Sequence, residues 1–162
     1  MDCPAWAGSL NVAHAGKAVL KLEYSGRLSV SDTLTLGDAD GRRGELHLAD
    51  GEVVLRKIDD GALAPIDGGI HIEKNGTLLW AGDRTDAVKR LFAAQRISLG
   101  AGRSDIPRQA PYDRIRERIR NPGAQPRAAQ PVLIGEVGDK RLYADHDRIN
   151  PGFTTVWVGE KR

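Results

Sequence analysis

Cysteine is almost missing from this chain: Cys3 is the single one in 162 residues. No intrachain disulfide can form, and no cysteine-based zinc site can be built. Aromatic residues are scarce as well, with 3 Trp, 3 Tyr and 2 Phe, which leaves little material for a platform that stacks bases. No apolar stretch approaches the roughly 20 residues that a membrane-spanning helix needs. The first residues show no basic region followed by an apolar run, so no signal peptide is expected. Gly100-Ala101-Gly102 lacks the third glycine of a dinucleotide loop. The formal net charge of +2 is too small to select a partner. These absences lead to the expectation of a soluble, cytoplasmic chain without a membrane segment, long enough to bury a core without covalent staples.

Glycine, by contrast, is plentiful, at 19 residues. Five turn signals stand out: Ser25-Gly26, Asp50-Gly51, Asp60-Gly61, Asn75-Gly76 and Gly138-Asp139. Most lie between short stretches with apolar residues at every second position, such as Ala18, Leu20 and Leu22, or Leu46 and Leu48, or Ile70 and Ile72. Gly and Asn accept the positive φ that tight hairpins require, so this pattern predicts antiparallel hairpins. No internal repeat strong enough to define a repeat protein is apparent.

The period changes once. Val88, Leu91 and Phe92 recur at helical spacing, which predicts an amphipathic helix over about 86–95, capped by Asp83 or Thr85. The fold class expected is α+β: a mostly antiparallel β-sheet or small β-barrel built from hairpins, that helix, and a short basic helix over about 111–120. The chain reads as a single domain, 1–162. Residues 1–100 form a β-rich body, 101–131 a Pro/Arg-rich connecting arm, and 132–162 strands that pair back to the sheet.

The arm has the most uneven charge. Between residues 101 and 130 there are seven arginines, no lysine and three acids, while the remainder carries 17 bases against 19 acids. Arg103, Arg108, Arg114, Arg116, Arg118 and Arg120 spread a positive field, and Tyr112, Ile115 and Ile119 share one side of the short helix. Guanidinium groups bind carboxylate and phosphate alike.

Two further constellations contain reactive side chains. Glu45 and His47, and His71 and Glu73, sit two apart on predicted strands, so each pair faces one side, away from Leu46, Leu48, Ile70 and Ile72. If the two strands are neighbours, two imidazoles and two carboxylates converge, a set suited to a divalent metal or to acid–base work. Asp145, His146 and Asp147 hold a histidine between carboxylates, the types needed for a general base, directly before a turn where Asp and Asn bond their own backbone. The aspartates of Gly37-Asp38-Ala39-Asp40-Gly41 read as a surface loop, because the calcium-loop spacing is absent.

No catalytic set is complete. The reading that follows is a non-catalytic interaction module whose arm docks on a protein partner or on a second copy. One alternative is a nucleic-acid-associated accessory protein using the Arg103–Arg127 segment. The other is a small metal-dependent hydrolase using the Glu/His cluster.

Overall fold

The computed structural model describes residues 4–12, 17–23, 26–37, 43–64, 68–105, 107 and 131–160. The described chain climbs in turns of three strands. The first turn contains β1 (Pro4–Ala7), β2 (Leu10–Val12) and β3 (Ala18–Leu22); the second β4 (Arg27–Val30), β5 (Leu34–Leu36) and β6 (Gly44–Leu48). The third contains β7 (Glu52–Leu55), β8 (Leu63–Ala64) and β9 (Gly68–Ile72). In the fourth, β10 (Thr77–Ala81) and β11 (Ile97–Leu99) flank α1 (Thr85–Ala93), which stands where β8 stood one turn earlier.

Each strand pairs in parallel with its counterpart one turn on. The pairings run β1-β4-β7-β10, β2-β5-β8 and β3-β6-β9-β11. The result is a three-walled β coil. Three more strands, β12 (Val132–Val137), β13 (Lys140–His146) and β14 (Phe153–Glu160), form an antiparallel meander attached to the coil through β14 on β10.

This overturns the expected antiparallel sheet or hairpin-built barrel. Alternation with period two is the same in parallel and antiparallel strands, so it carries no information on direction. The glycines misled for a physical reason. Of the five turn signals, only Gly138-Asp139 joins two strands that pair with each other, and only Gly138 of those glycines has a positive φ, 63°. Gly26, Gly51 and Gly76 instead turn corners between walls.

The requirement at these corners is space. A Cβ on Gly51 would lie 2.5 Å from Leu22 Cβ and 2.9 Å from the Gly26 carbonyl oxygen. One on Gly76 would run into the Leu48 carbonyl oxygen. The corners bond to one another through Glu52 N–H to Gly26 O (2.8 Å) and Thr77 N–H to Gly51 O (3.1 Å). Arg27, Glu52 and Thr77 are in register 25 residues apart, so the chain does contain a repeat, contrary to expectation. The sequence hides it because the β3 wall steps by 26, 24 and 27 residues as loop lengths vary.

Inward side chains stack into columns. Leu20, Leu46, Ile70 and Ile97 form one and Leu22, Leu48, Ile72 and Leu99 the next. Leu28, Val53, Leu78 and Val156 continue a column from the coil into the meander. Nine of these twelve are buried and Leu20, Leu22 and Leu99 are partly so, and each fully buried Leu or Ile contributes about 1.5–3 kcal/mol.

α1 is the only α-helix among the described residues and lies where the sequence placed one. Val88 is buried and Leu91 and Phe92 pack on the core. Asp83 Oδ1 accepts from Thr85 N–H (3.2 Å) and Thr85 Oγ (2.8 Å), which meets one unpaired donor of the first turn. The Thr85 hydroxyl above all holds the Asp83 carboxyl below its usual range. Asp60, in the 3-10 turn Asp60–Ala62, bonds both Arg84 (2.6 Å) and Arg90 (2.7 Å) and ties the third turn of the coil to the helix. The short helix expected over 111–120 lies outside the described residues.

Candidate functional site

The register of the β3-β6-β9-β11 wall determines what meets on its outer face. Lys21, His47, His71 and Ser98 are consecutive partners, one from each turn. Their neighbours Leu20, Leu46, Ile70 and Ile97 point inward, so pleating sends this row outward. The two imidazoles stand side by side, 5.3 Å between centroids and tilted by 54°, with side chains 33% and 29% exposed.

Each imidazole has its own carboxylate. His47 Nε2 lies 3.1 Å from Glu45 Oε2, and His71 Nε2 lies 3.6 Å from Glu73 Oε2. The bond to His47, foremost, holds the Glu45 carboxyl below its ordinary range, helped by Arg43, whose Nε donates to Glu45 Oε1 at 3.0 Å. His71 Nδ1 faces Ser98 Oγ at 2.8 Å. Gly100 leaves room for this meeting: a Cβ there would lie 2.5 Å from Glu73 Cβ and 2.8 Å from His71 Nε2.

These side chains border a hollow of about 410 Å³, within the range of small-ligand sites. Lys21, Arg43, Gln95 and Arg96 complete its rim. Gly69, in register with Glu45, puts no side chain into it, and a Cβ there would sit 2.9 Å from the Arg96 carbonyl oxygen. The two strands are neighbours, which meets the condition set by the sequence, and Glu45, His47, His71 and Glu73 border one hollow. Among the described residues, however, no three His, Cys, Asp or Glu side chains are placed to hold one metal ion. Hydrogen bonding and proton transfer are the chemistry this arrangement offers.

The Asp145-His146-Asp147 group is arranged differently. Asp145 is buried, and its Oδ2 accepts from Ile149 N–H at 3.1 Å. Asp147 has a left-handed backbone, φ 72°, and its Oδ1 accepts from Gly152 N–H at 2.7 Å. Both carboxylates thus bond the backbone of the 147–152 turn, while His146 is exposed at the end of β13.

Of the arm, Arg103 is described. It bridges to Gly159 in β14, and its Nε donates to Asp105 at 3.1 Å. Arg108, Tyr112, Arg114, Ile115, Arg116, Arg118, Ile119, Arg120 and Arg127 lie outside the described residues, as do Asp38 and Asp40. Ser98 is the residue that sequence reasoning missed. Its one signal is a position 27 residues after His71, legible only once the turns of the coil are aligned.

No family model, curated protein or solved structure matches the chain. Among the described residues no helix is long and apolar enough to cross a membrane.

Proposed function

We propose that the chain is an interaction module in which the β coil is a rigid body and the arginine-rich segment 101–131 is the arm that docks on a protein partner. The observation that carries this reading is where the arm begins and ends. Arg103 is fixed to β14, with its N–H on Val158 O (2.9 Å) and its carbonyl accepting from Glu160 N–H (3.3 Å). The chain returns at β12, two strands from β14 in the same sheet. Arg103 pairs with the edge of β14 opposite β13, so strand spacing puts those anchors about 15 Å apart. A connection across that gap needs only a handful of residues, and long excursions in compact chains generally serve a function. Seven arginines within this one suit an acidic surface.

The test compares the tagged wild-type chain with Ile115→Asp after recovery from the native host, with and without nuclease. The expected result is a co-purifying protein that survives nuclease and is lost from Ile115→Asp, while thermal unfolding of the variant is unchanged. Recovery of nucleic acid, with binding that falls steeply with salt, would replace this reading with the nucleic-acid one. Equal capture by the variant would remove the arm from the account.

A further inference from the structure

We infer that the outer face of the β3-β6-β9-β11 wall carries a nucleophilic serine, Ser98, activated by His71 and oriented through Glu73, for transfer of an acyl group from a small ester to water. This goes beyond the docking reading, and neither depends on the other. The row lies on the outer face of this wall, whereas Arg103, at the start of the arm, is paired with β14.

Three roles must be filled by side chains in mutual contact: nucleophile, base, and a group that orients the base. Ser98 Oγ lies 2.8 Å from His71 Nδ1. For Ser98 to donate there, Nδ1 must be the unprotonated nitrogen and Nε2 must carry the hydrogen. Glu73 Oε2, 3.6 Å from Nε2, favours that tautomer and faces the imidazolium that forms when Nδ1 takes a proton. The order of groups is that of a serine–histidine–carboxylate triad, with the two ring nitrogens exchanged. Such triads are recognised by roles and geometry rather than by chain position.

The surroundings fit. Ser98 is exposed on β11, and all three groups border the hollow of about 410 Å³. Gln95 and Arg96, the latter with Nη1 donating to Gly68 O at 3.2 Å, bring N–H groups to the same rim, the type of donor that stabilises an oxygen on which charge develops. Ser98 and His71 sit on paired strands and Glu73 directly follows β9, which limits their relative movement.

The reaction balances with water alone. Ser98 Oγ attacks the ester carbonyl carbon, and its proton passes to His71 Nδ1. The bond to the alcohol oxygen breaks, and the departing alcohol takes that proton, leaving acyl-Ser98. Water then attacks the acyl carbon and gives a proton to Nδ1. The carboxylic acid leaves as Ser98 Oγ regains its proton.

The experiment treats the full-length chain with a fluorophosphonate and follows p-nitrophenyl acetate hydrolysis. The expected result is one stoichiometric adduct, mapped to Ser98. Ser98→Ala removes the adduct, and Ser98→Ala and His71→Ala each lower hydrolysis by about 100-fold or more, the usual worth of a positioned base. Glu73→Gln slows labelling with KM unchanged, and Glu73→Asp restores part of the rate, which a purely structural carboxylate would not do. His146→Ala, an exposed imidazole elsewhere, leaves hydrolysis unchanged. Ser98→Cys provides a check independent of esters: its iodoacetamide alkylation depends on His71. An unlabelled Ser98, or hydrolysis that survives Ser98→Ala, overturns the inference. Partner capture by Ser98→Ala reports separately on the docking reading.

Discussion

The coil and the meander use the same local signal to opposite ends. In the meander, Gly138-Asp139 closes a hairpin between strands adjacent in sequence. Gly138 supplies a positive φ there, and a Cβ at that position would meet no atom within 4 Å. In the coil, Gly51 and Gly76 turn corners, and the preceding turn lies against them where a side chain would begin. One glycine is selected for backbone freedom, the others for thinness. A dipeptide therefore states that a turn exists without stating which strands it brings together.

Substitutions can separate the two cases. The largest effect is expected inside the coil, from Leu46→Ala, which opens a gap in the column between Leu20 and Ile70. A loss of about 4 kcal/mol is expected in urea unfolding. Gly76→Ala should cost about 3 kcal/mol, because the Leu48 carbonyl on the turn below has to move. The same change at Gly138 meets open space and should cost only about 1 kcal/mol, the strain of a left-handed residue. Equal losses at the two glycines would erase the distinction.

In the meander, Asp145→Ala leaves the buried N–H of Ile149 without its acceptor, and about 2 kcal/mol is expected in thermal unfolding. The smallest effect joins the two turns that Asp60 links. Arg84, foremost, and Arg90 hold the Asp60 carboxyl below its ordinary range. Its contribution is therefore present above the usual carboxylate pKa of about 3.9 and is lost as pH falls through the lowered value. Asp60 itself is about half exposed, so the contribution is no more than about 0.5 kcal/mol. Asp60→Asn should flatten that part of the acid unfolding profile and leave stability near neutral pH almost unchanged.

Much of this arrangement is legible in the sequence. The inward residues Leu46, Leu48, Ile70 and Ile72 are identifiable from alternation, because burial on one face leaves that trace in either strand direction. The helix is identifiable from Val88, Leu91 and Phe92. Strand direction is not, since it depends on which segment lies alongside, and the glycines admit both answers. The repeat is obscured because conformational needs at the corners are constant while loop lengths differ between turns. For the site, the orientation of Glu45, His47, His71 and Glu73 follows from local spacing. Ser98 does not, because its relation to His71 arises only from stacking one turn on the next.

The polar row grows by one residue per revolution. Duplicating a whole 25-residue unit at a corner would therefore lengthen the outer face by one more side chain while every existing pairing keeps its partner. Inserting a single residue within a strand would turn all that follow it inside out. On such a scaffold evolution can extend a surface in whole steps and is held to strict economy within each one.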